Sequence, residues 1–527
     1  MLNAMMHTPL LVPAILEHAV RQYPEQEIVC YGGDTPYRYT YREFSERVLR
    51  LAGALQGLGV GKGDRVATLA WNTHEHLELY YAIAMVGGIC HTINPRYSIE
   101  QMRYVVDHAD SRVLFYDVSL LAVATEIRSG SPGIRVVVAI GGEAVEENGL
   151  AYEQLLASDE VLVEIPLLNE DDPCGLCYTS GTTGSPKGVC YTHRSTVLHA
   201  MSCLSREVLG LWSGDVVLAV VPMFHVNAWG FPYSALMAGA SLVLPGADLS
   251  ASTLYQIMED ESVGFSAGVP TIWQDLIEYL DRNKKTFSTV RKVLVGGAAA
   301  PAKMFEDFAR HGASLIHGWG MTETTIGAVG NVPADLEYLP EEEKTRLKTK
   351  QGRAPFGFEM KIVDEHGQDC VQDGVASGEL LVRGPWVVAN YLGAESEEAL
   401  QDGWFATGDI ATLDPRGYME IVDRKKDVIK SGGEWISSIA LENAVIKHPS
   451  VARAAVIGKP DHRWSERPLM IVVPADSCQP SVEELREFLM ELFPRWWVPE
   501  DIVFDNQLPL GPTGKVLKTQ LRDKYLH

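Results

Sequence analysis

The segment Tyr178-Thr-Ser-Gly-Thr-Thr-Gly-Ser-Pro-Lys-Gly188 holds three glycines, three threonines, two serines and one lysine in eleven residues. Glycines let backbone N–H groups approach an anion closely, hydroxyls add donors, and Lys187 adds a point charge. The composition suits a loop wrapped round a polyphosphate. It is not a Walker A loop, because Lys187 follows a proline and precedes Gly188. Other candidate groups stand in short polar runs: Glu323 in Gly318-Trp-Gly-Met-Thr-Glu323, Asp409 in Thr407-Gly-Asp409, Arg424 and Lys426 in Asp423-Arg-Lys-Lys-Asp427, Lys430 in Lys430-Ser-Gly-Gly, and Lys515 in Pro512-Thr-Gly-Lys515. A carboxylate suits a hard divalent cation or a pair of hydroxyls, and an ammonium in a dehydrated site opposes charge building on a phosphoryl oxygen. On composition alone, 423–427 also reads as a solvated charge run and Pro-Thr-Gly-Lys as an exposed loop.

These groups must be held by folded elements. The periodicity predicts an amphipathic helix over 41–58, with Phe44, Val48, Leu51 and Leu55 on one face, then a strand from Arg65. Apolar runs at Val113, Val136, Val216, Ser241 and Lys292 repeat that alternation, which predicts α/β layers with sheets buried on both faces. After about Gly357 turns crowd together, and a β-rich subdomain is expected to about Val422. A helix, a strand and a further helix follow, at 439–448, 454–457 and 482–492. The expected fold is therefore α/β: a large N-terminal domain of α/β layers plus a β-rich subdomain over 1–425, then a small α+β domain over 426–527.

The chain has 527 residues, 46% hydrophobic and 22% charged, with net charge −24. Its length predicts about three or four domain-sized units. The acidic balance argues against a nucleic-acid partner but not against a nucleotide, which needs only local donors. Cys174 and Cys177 form a Cys-x-x-Cys with no second ligand pair, and are read as buried thiols. The N-terminus has no basic stretch before its short apolar run, which argues against a signal peptide. The apolar run 79–95 is too short and too interrupted to span a bilayer, and predicts a buried helix with its following strand. Reduced cysteines suit a cytoplasmic setting.

The 178–188 run resembles the phosphate-loop signature of the adenylate-forming (AMP-binding) superfamily. Pro222-Met-Phe-His225, Gly296-Gly-Ala298, Gly318 to Glu323, Gly378-Glu-Leu, Thr407 to Asp409, Asp423-Arg424 and Pro512 to Lys515 follow in that superfamily's order. The resemblance implies ATP, Mg2+ and coenzyme A as cofactor and co-substrates. It implies that Thr179, Ser180, Gly181, Thr182, Thr183, Gly184 and Lys187 cradle the phosphates, that Thr179 and Glu323 share Mg2+, and that Thr322 contacts the α-phosphate. It implies Gly297, His317, Gly318 and Trp319 beside adenine, with tryptophan where the superfamily more often has tyrosine. It further implies Asp409 and Arg424 on the ribose, Lys515 as the catalytic lysine, and a C-terminal domain that turns about Lys426 and brings Lys430 with it.

Pro-Met-Phe-His-Val-Asn-Ala-Trp229 and Lys430-Ser-Gly-Gly-Glu-Trp435 are similar to the branch holding fatty-acyl-CoA synthetases and methylthiopropionate–CoA ligases. There His225, Trp229, Gly297 and Ala298 are expected along the acyl channel, and Trp435 after the hinge. Ala440 departs from the acidic residue usual in the branch. The implied activity is an acid–CoA ligase for a medium- or long-chain fatty acid. The alternatives are a short thioether acid or an aryl acid, and more remotely a non-catalytic nucleotide-binding module. No carrier domain fits in the twelve residues after Lys515, so a free CoA acceptor is expected. Relatives in the branch pair as homodimers.

Overall fold

The computed structural model describes residues 5–33, 35–143, 149–157, 165–179, 185–393, 400–431, 434–475, 478–511 and 516–526. The expected helix over 41–58 is the helix Tyr41–Gly57. Thr40 accepts from the Glu43 N–H while the Glu43 carboxylate accepts from the Thr40 N–H, a reciprocal cap that fixes its start. Phe44, Val48, Leu51 and Leu55 are buried on its inner face. The apolar run 79–95 divides into the end of the helix His74–Met85 and the strand Ile89–Thr92. Between them Gly87 takes φ 79°, where glycine carries no Cβ penalty. Every residue from Glu75 to Met85 is buried, as expected of a helix packed between layers rather than on a surface. Among the described residues no helix is long and apolar enough to cross a membrane.

Two large sheets make the α/β layers. The first has eight strands, and Phe265–Gly268, Lys292–Val295 and Ser314–Met321 are parallel neighbours in it. Their carboxyl ends fall at one place, the position at which ligands bind in open α/β sheets. The second has seven strands, and its last two, Pro173–Tyr178 and Gly188–Thr192, form an antiparallel hairpin with Tyr178 opposite Gly188. The 178–188 segment thus connects two paired antiparallel strands, whereas a P-loop connects a strand to a helix. Cys174 and Cys177 lie three apart on the first of these strands, so their side chains point to opposite faces, and both are buried. Burial pushes the Cys174 thiol up to about 12.

The β-rich segment is a five-stranded antiparallel sheet: Glu359–Val363, Ser377–Arg383, Leu400–Gln401, Trp404–Leu413 and Met419–Arg424. A fourth sheet holds Ile429–Ser431, Glu434–Ile436, Val451–Asp461, Ser465–Pro474 and Asp501–Phe504. The helices Ser438–Val445, Val482–Met490 and Lys518–Leu526 belong to this last part of the chain. The change of sheet falls between Arg424 and Ile429.

Candidate active site

The carboxyl ends of the parallel strands, the 178–188 hairpin and the last part of the chain enclose one cavity of about 710 Å³. Its wall holds the polar Thr179, Lys187, Thr322, Glu323 and Tyr391 together with His225, Val226, Trp229, Leu294 and Ile326. Gly297, Gly318 and Trp319 lie on the wall, while Arg424, Lys426, Lys430, Gly511, Val516 and Leu517 bring the end of the chain to it.

The neck of the hairpin loop is closed twice. The Thr179 N–H donates to the Lys187 carbonyl at 2.9 Å, and the Lys187 N–H donates to the Thr179 hydroxyl at 3.1 Å. Lys187 Nζ lies 4.7 Å from the centre of the Tyr391 ring, which seats its charge by a cation–π contact. The Tyr391 hydroxyl donates to Glu323 Oε1 at 2.9 Å. Glu323 is buried, and burial raises its carboxyl pKa against the lowering effect of the Tyr391 bond, Arg424 and Lys187.

Glu323 and Thr179, the pair that the resemblance assigns to a divalent cation, both line the cavity. Among the described residues no group of three histidine, cysteine or acidic side chains could hold a metal. One carboxylate with a hydroxyl fits Mg2+, which binds through one or two carboxylates together with substrate phosphates and keeps several waters. When bound, the ion would neutralise phosphate charge.

Asp409 is 2% exposed and does not line the cavity. Arg424 Nε contacts its Oδ1 at 2.9 Å, and the Trp319 indole N–H donates to its Oδ2 at 2.9 Å. Trp319 therefore does more than offer a ring face: its nitrogen fixes the buried carboxylate. Lys426 lines the cavity, and burial lowers its pKa.

The part of the wall formed by His225, Val226 and Trp229 is shaped by an unusual backbone. Val226, Asn227, Ala228 and Trp229 take φ of 49°, 50°, 48° and 53°, and Gly230 continues at 83°. Left-handed geometry costs an L-residue about 1–2 kcal/mol, and a β-branched residue such as Val226 is least suited to it. Surrounding bonds hold the turn: the Tyr80 hydroxyl at 3.2 Å and Cys177 Sγ at 3.4 Å both donate to Asn227 Oδ1. The turn carries the Trp229 indole across to Gly296. A β-carbon there would stand 3.0 Å from Trp229 Cη2 and 2.9 Å from the Gly318 carbonyl oxygen.

Several expected residues lie elsewhere. His317 does not line the cavity. It sits one residue before Gly318 on a strand, so its ring points to the opposite face. There it packs on Phe305, with Nδ1 2.8 Å from the Thr349 carbonyl oxygen and Nε2 3.3 Å from that of Ala298. Burial lowers its pKa, which suits a neutral structural imidazole. Ala298 is exposed, engaged through its carbonyl, and likewise outside the cavity wall. Trp435 faces Lys430 across a hairpin, half-buried, and is not on the wall either. Ser180, Gly181, Thr182, Thr183, Gly184 and Lys515 lie outside the described residues. The stems flanking Lys515 are placed: Leu510 pairs with Val516, and the Leu517 N–H donates to the Pro509 carbonyl at 2.8 Å. Sequence reasoning missed Tyr391, which stands in an irregular stretch with no spacing signal to single it out.

The model of the AMP-binding enzyme family matches residues 16–392, and that of the AMP-binding enzyme C-terminal domain matches 440–515. The chain belongs to the AMP-binding enzyme family. It is 46% identical to a 3-methylmercaptopropionyl-CoA ligase of Ruegeria lacuscaerulensis, over 100% of this chain and 99% of that protein. It is 42% identical to a medium-chain-fatty-acid–CoA ligase of Ectopseudomonas oleovorans, over 100% of this chain and 98% of that one. Among solved structures, an anthranilate CoA ligase in complex with anthranoyl-AMP superposes with a TM-score of 0.88 at 27% identity, covering 99% of both chains. The α/β layers and the smaller C-terminal unit are thus those of an AMP-binding enzyme.

Proposed function

We propose that this AMP-binding enzyme is an ATP-dependent acid–CoA ligase. A carboxylate displaces pyrophosphate from ATP to give an acyl-adenylate, and the CoA thiol then displaces AMP to give the acyl-CoA. The observation that carries the reading is the continuity of one cavity from Lys187, Thr322 and Glu323 to His225 and Trp229. A single cavity that takes both a triphosphate and an acid lets the two react without leaving it. Lys187 and the 178–188 loop hold phosphates, Glu323 with Thr179 holds Mg2+, and Asp409 through Arg424 and Trp319 orders the ribose end. Lys515 opposes the charge that builds on the α-phosphoryl group.

In this reading residues 1–425 bind nucleotide and acid, and 426–527 form the unit that turns about Lys426 between the two steps. The eight unpaired cysteines support a reducing, cytoplasmic setting.

The acid is short, of the thioether class acted on by the Ruegeria relative. Nucleotide and acid share one cavity, and the Trp229 indole reaches Gly296 across its acyl side. A medium-chain fatty acid is the second reading, supported by the Ectopseudomonas relative and by the half-buried Trp229 as a movable gate.

The test is CoA ligation across straight-chain acids of increasing length, thioether acids and aryl acids, with pyrophosphate exchange into ATP as the companion assay. Highest kcat/KM on a short thioether acid supports the first reading, and a maximum at medium chain length supports the second. No acid-dependent exchange with any of them overturns both.

A further inference from the structure

Lys518 opens the final helix, Lys518–Leu526, directly after the cavity-lining Val516 and Leu517. Its side chain is nearly buried. Nζ lies 2.6 Å from Ser438 Oγ and 2.8 Å from Glu442 Oε1. The Ser438 hydroxyl accepts from Lys518 and in turn donates to Asp423 Oδ2 at 2.5 Å, and the Ser438 N–H donates to the same oxygen at 2.6 Å. Asp423 stands in the strand Met419–Arg424 of the β-rich sheet, one residue before the cavity-lining Arg424, and pairs with Ile410. A second tie runs beside it. Arg522, one turn further along the final helix, contacts Asp427 Oδ1 at 2.7 Å and donates to the Lys426 carbonyl at 3.3 Å.

We infer that Lys518 is a positioning residue: through Ser438 it ties the adjoining Val516 and Leu517 to Asp423 of the β-rich sheet, and so holds them on the cavity wall during adenylation. The inference rests on the ligase reading, in which adenylation and thioester formation are separate steps. A buried cation that serves only the local fold would need one acid, and Glu442 supplies it. The relay through Ser438 instead reaches across the change of sheet. It joins Arg424, Lys425 and Lys426 on the cavity wall to Val516 and Leu517 on the same wall. The tie is made of hydrogen bonds rather than apolar surface, so it can break and re-form as the small unit turns.

The variants are Ser438→Ala, which removes the relaying hydroxyl and leaves the Glu442 pair intact, Asp423→Asn, and Lys518→Arg as the conservative rescue. Three measurements are made on the full-length protein: acid-dependent pyrophosphate exchange, thioester formation from supplied acyl-adenylate, and hydrogen exchange of the amides in 509–517. Ser438→Ala and Asp423→Asn are expected to slow pyrophosphate exchange about 10- to 100-fold while thioester formation stays within about twofold. Lys518→Arg keeps most of the adenylation rate. Amides of 509–517 lose protection in Ser438→Ala while those of Val451–Asp461 keep theirs. Equal loss in both half-reactions, or unchanged protection at 509–517, overturns the inference. Wild-type protein that shows no exchange with any acid, while Ser438→Ala still loses protection at 509–517, supports the tie and overturns the ligase reading instead.

Discussion

The indole N–H of Trp319 donates to Asp409 at 2.9 Å, on the carboxylate oxygen that Arg424 leaves open. A tryptophan at this position reaches a buried acid that a phenylalanine cannot. The bond to a charged acceptor is expected to be worth about 1.5–3 kcal/mol. A double-mutant cycle of Trp319→Phe and Asp409→Asn, read by urea denaturation, should return a coupling energy of that size. Additive effects would mean that the indole nitrogen contributes nothing to holding Asp409.

With Glu323 holding Mg2+ as proposed, an acidic limb is expected in the pH profile. Burial raises its carboxyl pKa, so Mg2+ and ATP binding, which requires the carboxylate, is fully present above that raised pKa and lost as pH falls through it. The Tyr391 hydroxyl opposes the rise. Tyr391→Phe keeps the ring under Lys187 but removes the donor, and should move the acidic limb of kcat/KM for MgATP upward by about one pH unit with little change in the plateau. A limb that stays in place would show that another group titrates. Glu323→Gln should abolish the limb and weaken MgATP binding at every pH.

Ala228 pays the left-handed penalty without a side-chain bond to offset it. Ala228→Gly should therefore stabilise the protein, or leave it unchanged, by up to about 1 kcal/mol once the greater freedom of glycine in the unfolded chain is subtracted. The same change at Ala82, inside the right-handed helix His74–Met85, should destabilise it. Thermal melts of the two variants compare the signs, and a loss at position 228 matching that at 82 would remove the case for strain in the turn.

Lys515→Ala should abolish acid-dependent pyrophosphate exchange, a loss of about 10²–10³-fold or more for a group that stabilises developing charge, and spare thioester formation from supplied acyl-adenylate. Parallel loss in both assays would take the adenylation role from Lys515.

Much of the fold was legible because periodicity reports burial. The helix at 41–57 and the strands at Arg65, Val113 and Val136 stand where alternating apolar patterns put them, and so does the change to short antiparallel strands after Gly357. The family was legible because its motifs keep their order. Side-chain direction was not: His317 and Gly318 are neighbours in one motif, yet the strand turns one toward Phe305 and the other toward the cavity. Partnership across distance was also hidden. Nothing in the spacing of Tyr391, Glu323 and Lys187 shows that the three meet, because the contact is made by loops from separate sheets. Nor does any propensity predict four successive non-glycine residues in left-handed geometry, since that conformation is imposed from outside by Tyr80 and Cys177.

That turn also constrains how the enzyme can change over evolutionary time. Val226 and Trp229 line the cavity and belong to the left-handed turn at once, so on the proposed reading an exchange that reshapes the acyl side also acts on its own support. A replacement at 226 or 229 that fits the new acid can still fail unless Asn227, or the bonds that Tyr80 and Cys177 make to it, change as well. On that reading a change of acid preference calls for paired substitutions, one in the turn and one at Tyr80 or Cys177, the residues whose bonds to Asn227 hold it.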